Sequence, residues 1–285
     1  MTKVTILDGG LSTALEELGS TIDTSLWTGD LLRYNREQIR AAHQRYFEAG
    51  AKILISSSYQ VTYRGCEVRG WSHNEVTEAL QASIDLARFE GVKVAASIGP
   101  YGACLADGSE YRGNYGMTVD ELKDFHRERL NVLISTNPDF LAVETIPELA
   151  EARAILQLLT EINSTIPFWI SFSCRSASEI SSGELFADAV AMVSGAPNLF
   201  GVGINCTSPT LIEGLLKSAN NTSIPYVIYP NSGRGWDAVN KKWIGDKSAF
   251  TIEQISSWKS LGATVIGGCC GVSPSDITDL CERLS

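Results

Sequence analysis

Ala263-Thr264-Val265-Ile266-Gly267-Gly268-Cys269-Cys270-Gly271 is a short apolar β-strand pattern that ends at two adjacent cysteines between glycines. Neighbouring side chains on a strand point to opposite faces, so both cysteines can serve one centre only if the backbone turns there. Glycine tolerates positive φ, and Gly267, Gly268 and Gly271 are expected to allow that turn. Small apolar residues at a strand end are the simpler interpretation. A pair of metal ligands is the alternative, which needs support from the rest of the chain.

Apolar, β-rich runs of the same kind occur eight times, and helical patterns lie between them. The expected strands are Val4–Asp8, Lys52–Ser58, Lys93–Gly99, Phe140–Thr145, Phe168–Cys174, Phe200–Cys206, Tyr226–Pro230 and Thr264–Cys269. The expected helices are Asn35–Ala49, His73–Glu90, Thr118–Thr136, Pro147–Ile162, Glu184–Ser194, Pro209–Ala219, Thr251–Leu261 and Pro274–Leu284. Gln254, three residues after Thr251, predicts a capping box at one helix start. Such alternation predicts a buried parallel sheet covered by helices.

Eight strand–helix units in 285 residues predict a closed (β/α)8 TIM barrel, with residues 1–285 forming one α/β domain. An open doubly wound sheet is the alternative, and it would normally carry a glycine-rich phosphate loop after its first strand. Asp8-Gly9-Gly10-Leu11-Ser12-Thr13 does not match that loop. No linker, low-complexity segment or charge block divides the chain, so a second domain is not expected.

Composition restricts the partners and the compartment. The formal net charge of −10 disfavours nucleic acid and anionic membranes as partners. Seven cysteines are an odd number in a chain too large to need a disulfide framework, which favours a reducing compartment. No secretory signal is visible near the start. We therefore expect a cytoplasmic protein that acts on small molecules. Because the chain ends shortly after its eighth helix, without an arm that could embrace a second subunit, we expect a monomer.

The active site of such a barrel lies at the carboxyl ends of the strands. The predicted ends carry Asp8-Gly9-Gly10, Ser56-Ser57-Ser58-Tyr59-Gln60, Gly99-Pro100-Tyr101-Gly102, Glu144-Thr145, Ser173-Cys174-Arg175, Asn205-Cys206-Thr207, Tyr229-Pro230-Asn231-Ser232-Gly233 and Gly268-Cys269-Cys270. Cys206 ends the sixth strand, while Cys269 and Cys270 end the eighth, so one strand separates them. Barrel closure places the first strand beside the eighth, and Asp8 is expected next to the cysteine pair.

Three cysteine thiolates suit Zn²⁺ with a fourth position open to another ligand. Three thiolates give the site a net negative charge, which makes it a poor activator of water and disfavours a hydrolase. Zinc binding deprotonates a substrate thiol at neutral pH, while the surrounding charge keeps that sulfur nucleophilic. The donor set therefore indicates S-alkylation of a bound thiol.

Asp8-Gly9-Gly10, Gly203-Ile204-Asn205-Cys206 and Gly267-Gly268-Cys269-Cys270 together resemble the signatures of the homocysteine S-methyltransferase family. The resemblance extends over nearly the whole chain, through Ser97-Ile98-Gly99-Pro100-Tyr101-Gly102, Glu144-Thr145 and Tyr229-Pro230-Asn231-Ser232-Gly233. It implies methyl transfer to the thiol of L-homocysteine, which yields methionine.

The resemblance also implies roles for single residues. Cys206, Cys269 and Cys270 are expected to bind one Zn²⁺ per chain, with the homocysteine thiol completing a tetrahedron. Asp8 and Glu144 are expected to hold the amino group of homocysteine. Its carboxylate is expected to meet backbone amides near Gly9 and the hydroxyls of Ser56 and Ser58. Asn205 and Asn231 are further substrate-binding candidates, although Asn205 could instead orient Cys206. Asp8 could also cap a loop, and Glu144 could pair with Arg175.

The methyl donor is expected to be a sulfonium. The chain is too short for a cobalamin domain; Thr145 rather than Tyr follows Glu144, and the C-terminal arm of the betaine-using branch is missing. The segment 105–113 (LADGSEYRG) resembles the branch that prefers S-methylmethionine, with S-adenosylmethionine possible. Aromatic faces and carboxylates can hold a sulfonium. Candidates on loops are Tyr101, Tyr111, Trp236 and Asp107.

Three alternatives remain: a betaine-type methyltransferase, a thiol redox sensor built on Cys206, Cys269 and Cys270, and a barrel whose zinc is structural and fully coordinated. Other candidate groups are interpreted as inert. Cys174 lies at a predicted strand end but lacks a partner motif. His43 and His126 fall on helices expected outside the barrel, and His73 begins a helix; none is expected to be catalytic.

Overall fold

Eight parallel strands form one sheet in this computed structural model, which describes residues 4–22, 26–219, 223–233, 235–237, 242–244 and 250–284. They are β1 (Thr5–Ile6), β2 (Ile53–Ile55), β3 (Lys93–Ile98), β4 (Phe140–Ile146), β5 (Phe168–Phe172), β6 (Leu199–Asn205), β7 (Tyr226–Tyr229) and β10 (Ala263–Ile266). A two-stranded antiparallel ribbon, β8 (Gly235–Asp237) and β9 (Lys242–Ile244), follows β7. The eight apolar runs of the sequence thus form the parallel strands that their pattern predicts.

The sheet closes into a barrel. Its strand order is β1-β10-β7-β6-β5-β4-β3-β2, and Leu7 pairs in parallel with Ile53 to join the two ends. Lys52 N donates to Ile6 O at 2.8 Å, and Asp8 N donates to Ile53 O at 3.1 Å. The expected (β/α)8 TIM barrel is confirmed. The doubly wound alternative is wrong because its sheet would have two open edges.

Helices cover the outside of the barrel, and each predicted helix is present to within a few residues. They are α3 (Arg36–Glu48), α5 (His73–Leu86), α7 (Val119–Ser135), α8 (Leu149–Glu161), α9 (Phe186–Val193), α10 (Pro209–Ser218), α11 (Ile252–Ser260) and α12 (Pro274–Leu284). The capping box at Thr251 is confirmed. Among the described residues, no helix is long and apolar enough to cross a membrane.

Four short α-helices lie in the loops, where the sequence did not predict them. They are α1 (Leu11–Glu17), α2 (Leu31–Tyr34), α4 (Tyr63–Glu67) and α6 (Tyr101–Leu105). Segments of four to seven residues hold at most two helical turns, which is too short for a repeating apolar stripe. Because α1 begins directly after Gly10, it brings the start of a helix to the carboxyl end of the barrel.

The strands β2 and β10 end three residues earlier than predicted, at Ile55 and Ile266. Beyond Ile266 the backbone forms hydrogen bonds alternately with the segments that follow β1 and β7. Gly268 N donates to Asp8 O at 2.9 Å, and Cys269 N donates to Pro230 O at 2.8 Å. Regular pairing stops there because the chain bends across the barrel mouth.

The glycines of the opening stretch act differently from the prediction. Only Gly271 has a positive φ, of 77°; Gly267 and Gly268 do not. At Gly267 and Gly268 the surrounding atoms leave no room for a side chain. A Cβ on Gly267 would lie 2.6 Å from Asp8 O, and one on Gly268 would lie 2.2 Å from a methyl carbon of Val272. Close backbone packing, rather than left-handed backbone, therefore requires glycine at these two positions.

Two clusters of buried apolar side chains support the site. The larger lies between sheet and helices. The smaller fills the barrel and consists of Leu7, Ile53, Ala95, Phe140, Ala142, Trp169, Val227, Tyr229 and Val265. Trp169 Nε1 donates to the Tyr229 hydroxyl at 3.1 Å, near the carboxyl ends of the strands. The barrel is therefore a packed core, and polar chemistry is confined to its mouth.

Candidate active site

Three cysteine thiols meet at the mouth of the barrel. Cys206 directly follows β6, and Cys269 and Cys270 lie just beyond β10; their sulfur atoms all lie within 4.8 Å of one another. Cys206 Sγ is 2.6 Å from Cys269 Sγ, which is 4.0 Å from Cys270 Sγ. Tetrahedral zinc with Zn–S bonds of about 2.3 Å requires S···S separations of about 3.8 Å. Shifts of about an ångström would therefore convert this cluster into three zinc ligands.

The side-chain amide of Asn205 joins the ends of β4 and β6. Its Oδ1 accepts a hydrogen bond from Thr145 N at 2.8 Å, and its Nδ2 donates to Thr145 Oγ1 at 2.8 Å. Thr145 and Cys206 both have left-handed backbone, with φ of 60° and 47°. This conformation is strained for any residue with a Cβ, and more so for β-branched threonine. The paired bonds stabilise the turn that points Cys206 toward the other two thiols.

The three thiols do not ionise independently. Hydrogen bonds from Cys206 and Cys269 hold the pKa of the Cys270 thiol well below its usual range. Hydrogen bonds with Cys206 and Cys270, together with burial, raise the pKa of the Cys269 thiol well above its usual range. A negative charge on one thiolate therefore disfavours the ionisation of a second thiol in the cluster. A divalent cation would remove that conflict, because it stabilises all three thiolates at once.

Asp8 and Glu144 are buried carboxylates near the cluster. Asp8 Oδ2 accepts from Ile55 N at 2.8 Å, while Asp8 Oδ1 is buried without a hydrogen-bond partner. Burial raises the pKa of Asp8 well above its usual range. Glu144 accepts a hydrogen bond from the Ser97 hydroxyl, and burial raises its pKa to about 7. Glu144 does not pair with Arg175, which bonds Glu179 at 3.2 Å.

One cavity contains the thiols and both carboxylates. Its lining includes Asp8, Gly9, Gly10, Leu11, Ser12, Thr28, Ile55, Ser56, Ser57, Tyr59, Gln60, Glu110, Tyr111, Glu144, Thr145, Asn205, Cys206, Tyr229, Gly268, Cys269 and Cys270. Three of these residues are acidic and none is Lys, Arg or His. As far as the described residues go, the cavity is therefore suited to positively charged groups.

The expected substrate-binding residues divide between the cavity and its surroundings. Gly9, Ser56 and Asn205 line it. The Ser58 hydroxyl instead donates to Ser97 O at 2.8 Å and contacts Ser56 Oγ at 2.8 Å. The neighbouring Ser57 lines the cavity, because the strand has ended at Ile55 and the alternation of faces no longer applies. Asn231 does not line the cavity; its backbone N donates to Thr207 O at 3.0 Å.

Of the expected donor-binding residues, Tyr111 lines the cavity. Tyr101 packs against Tyr115 and Phe125, with ring centroids 5.2 and 5.0 Å apart. Asp107 is exposed, and its Oδ1 accepts a hydrogen bond from Ser109 N at 2.9 Å. The side chain of Trp236 lies outside the described part of the structure.

The groups interpreted as inert lie outside this cavity. Cys174 is partly buried near the Phe172 carbonyl, at 3.8 Å. His126 is buried under α7 and its Nε2 contacts Glu151 Oε1 at 2.9 Å. His43 is also fully buried, and burial lowers its pKa to about 3. Both histidines lie on helices outside the barrel, as predicted, and their side chains are packed inward.

Glu110, Tyr59 and Tyr229 line the cavity but were not singled out from the sequence. Tyr59 and Tyr229 follow or end predicted strands, so their position at the barrel mouth was a usable signal. Glu110 belongs to a 3₁₀ turn, Ser109–Tyr111, that follows α6. No periodic pattern marks such a turn, and the acidic residue beside Tyr111 was the only clue.

The chain resembles known proteins over nearly its whole length. The family model for homocysteine S-methyltransferase matches residues 5–284. The chain is 42% identical to homocysteine S-methyltransferase 1 of Arabidopsis thaliana, covering 98% of this chain and 93% of that protein. It is also 42% identical to homocysteine S-methyltransferase YbgG of Bacillus subtilis (strain 168), covering 96% and 92%.

Solved structures of a relative have the same fold. The crystal structure of the metallated form of the homocysteine methyltransferase MmuM from Escherichia coli superimposes with a TM-score of 0.87 at 35% identity, covering 99% of this chain and 96% of that one. Its oxidized form gives a TM-score of 0.88 at 36% identity, covering 98% and 96%. With the full-length match to the family model, these relatives show that the chain belongs to the homocysteine S-methyltransferase family.

Proposed function

We propose that the protein transfers a methyl group from a sulfonium donor to the thiol of L-homocysteine. S-Methylmethionine is the preferred donor and S-adenosylmethionine a possible one. Methionine is the product, and with S-methylmethionine two molecules form in each turnover. The observation that carries the proposal is the cluster of Cys206, Cys269 and Cys270 in one cavity with Asp8 and Glu144.

Cys206, Cys269 and Cys270 would hold one Zn²⁺, which their sulfur chemistry and mutual distances fit. Zinc supplies one thing when bound: it lowers the pKa of an added thiol, so that the substrate sulfur is a thiolate at neutral pH. No separate general base is then needed. In agreement, the described cavity lining contains no histidine.

The chain's own residues hold the amino acid part of homocysteine. The unpartnered oxygen of Asp8 and the carboxylate of Glu144 would accept hydrogen bonds from its ammonium group. The hydroxyl of Ser56 and the amides around Gly9 would meet its carboxylate. Because α1 begins at Leu11, its first N–H groups are available at this end of the cavity.

The reaction itself exchanges one carbon–sulfur bond for another. The homocysteine sulfur attacks the methyl carbon of the sulfonium, and the bond from that carbon to the donor sulfur breaks. Its electron pair stays on the leaving sulfur, which departs as a neutral thioether. An anion and a cation combine, so charge disperses in the transition state, and a cavity of low polarity favours that step. The packed barrel core beneath the cavity excludes water from one side.

A cationic donor is supported by the acidic lining of the cavity. We also propose a monomeric, cytoplasmic protein. All seven cysteines are free in the structure, which fits a reducing compartment. Light scattering at several protein concentrations tests the oligomeric state; a mass that doubles with concentration would contradict a monomer.

The decisive experiment combines metal analysis with a panel of donors. Zinc-loaded protein is incubated with homocysteine and S-methylmethionine, S-adenosylmethionine or betaine, and methionine is measured. We expect about one zinc per chain and the highest rate with S-methylmethionine. Cys206→Ser, Cys269→Ser and Cys270→Ser should each abolish activity, whereas Cys174→Ser, outside the cavity, should not. A folded, zinc-loaded protein that is inactive with all three donors would contradict the proposal.

A further inference from the structure

We propose that Glu110, with Tyr111 beside it, forms the subsite that binds the positive charge of the methyl donor. The inference rests on the proposed function and deepens it, since it names which residues recognise the second substrate. Neither Asp107 nor Tyr101, the other candidates on this segment with described side chains, lines the cavity.

The carboxylate of Glu110 is buried at the cavity wall without a neutralising partner. The residue is only 9% exposed, and its Oε2 is buried with no hydrogen-bond partner. Burial raises the pKa of Glu110 above its usual value. A buried carboxylate oxygen without a donor is unfavourable, and a bound cationic ligand would offset that cost. Such a group is expected where a bound cation completes the site.

The turn that carries Glu110 is held in place from three sides. Asp107 Oδ1 accepts a hydrogen bond from Ser109 N at 2.9 Å, and the Ser173 hydroxyl donates to Glu110 O at 3.2 Å. Gly102 packs directly beneath, where an added Cβ would lie 2.5 Å from Glu110 N. Glu110 is therefore positioned by its surroundings and does not reach the cavity by chance.

The number of carboxylates in the cavity indicates that Glu110 is not needed to bind the ammonium group of homocysteine. The described cavity lining holds three carboxylates, those of Asp8, Glu144 and Glu110. Homocysteine brings one ammonium group, which Asp8 and Glu144 can share. The positive charge of Arg112, two residues after Glu110, lowers the pKa of Glu110 less than burial raises it. The Arg112 side chain itself lies 3.7 Å from the Asp107 carboxylate and bonds Ser109 Oγ at 3.1 Å. The charge left over on Glu110 matches a second cationic ligand.

Tyr111 adds an aromatic surface to this subsite. Its side chain lines the same cavity as the three thiols. A sulfonium is stabilised by the face of an aromatic ring as well as by a carboxylate. Glu110 and Tyr111 together can hold the donor cation close to the nucleophilic sulfur.

The test measures binding of the donor without turnover. Zinc-loaded protein is titrated calorimetrically with S-methylmethionine in the absence of homocysteine, so that no reaction can occur. 2-Amino-5-methylhexanoic acid, in which CH replaces the sulfonium sulfur, serves as the neutral ligand of the same shape. We expect Glu110→Gln to weaken binding of S-methylmethionine about tenfold or more, and to change binding of the neutral ligand less than about twofold. Asp85→Asn, which removes an exposed carboxylate on α5 outside the cavity, should bind both ligands like the native protein.

Three outcomes would overturn the inference: no binding of S-methylmethionine by the native protein, equal weakening of both ligands by Glu110→Gln, or the same loss in Asp85→Asn. Gly102→Ala provides a second variant should Glu110→Gln not fold, because it displaces Glu110 and should weaken the cationic ligand selectively. If binding of S-methylmethionine depends on Glu110 but the protein forms no methionine, the proposed function is wrong and the inference about Glu110 is still supported.

Discussion

Glu144 lies at the end of β4 in surroundings that favour its protonated form. Burial raises its pKa from the ordinary 4.5 of a glutamate to about 7, even though Ser97 and Tyr229 donate hydrogen bonds that lower it. Between these two pH values the unfolded chain loses a proton that the folded protein keeps. Stability is therefore lost as the pH rises from 4.5 through 7. The cost is the reason to expect a ligand, since the ammonium group of homocysteine can offset it.

Glu144→Gln tests this argument at the residue scale. In metal-free protein at pH 8, the substitution should raise the free energy of unfolding by up to about 3 kcal/mol, and by less than about 1 kcal/mol at pH 5. Urea denaturation at both pH values measures the difference. In zinc-loaded protein the KM for homocysteine should rise tenfold or more with zinc content unchanged. Glu179→Gln, on the surface, is the control. Equal stabilisation at both pH values, or loss of zinc, would contradict this role.

The cluster of three thiols was predictable from the sequence, whereas the position of Glu110 in the cavity was not. Cys206, Cys269 and Cys270 each end an apolar run, and the parallel barrel brings all such ends together. Glu110 reaches the cavity because Gly102, Ser173 and Asp107 fix a 3₁₀ turn, and these contacts are distant in sequence or lack a pattern. For Ser58 the sequence-based prediction was wrong. Strand alternation placed Ser58 on the same face as Ser56, but the strand ends before Ser58, and its hydroxyl bonds Ser97 O instead of lining the cavity.

Among the elements, strands and long helices were predictable because each buries a regular apolar face. The predicted ends were less accurate, since β2 and β10 stop where the backbone bends toward the site. Functional side chains lie beyond the last regular pair in both strands. The irregular part of each strand end thus supplies the chemistry, and its geometry depends on specific contacts rather than on periodicity.

One such contact is the pair of hydrogen bonds between Asn205 and Thr145, which joins β4 to β6. Asn205→Ala should leave the buried Thr145 N–H without a partner and release the strained turn at Cys206. We expect a loss of about 1–3 kcal/mol in the free energy of unfolding. Zinc affinity should fall about tenfold, because Cys206 is no longer held toward its partners. Urea denaturation and competition with a chelator measure the two effects.

Thr145→Ser is the matched control for this prediction. Serine keeps both the N–H and the hydroxyl that bond Asn205, so stability and zinc affinity should stay close to those of the native protein. If Asn205→Ala leaves zinc affinity unchanged, the amide serves the fold alone or contacts substrate directly, and its proposed effect on Cys206 is wrong.

At the scale of the whole molecule, the barrel closes at its shortest strands. The strands β1 and β2 have two and three residues, and the seam between them depends on few bonds. One of these comes from a side chain: Asp8 Oδ2 accepts from Ile55 N at 2.8 Å. The other oxygen of the same carboxylate has no partner within the protein. Asp8 thus bonds across the barrel seam with one oxygen and leaves the other available to the proposed substrate.

Two substitutions of Asp8 should separate these roles. Asp8→Asn keeps an oxygen for Ile55 N, so the free energy of unfolding should change by less than about 1 kcal/mol, or rise, because the pKa of the buried carboxyl is raised. Asp8→Ala removes the acceptor and should cost about 1–3 kcal/mol, with faster hydrogen exchange at the Ile55 amide. Both should raise the KM for homocysteine, since neither carries the negative charge. Asp8→Asn could instead lose as much stability, and as much protection from hydrogen exchange at Ile55, as Asp8→Ala. In that case the charge of Asp8 rather than its hydrogen bond stabilises the seam, and the proposal that its two oxygens have separate roles is wrong.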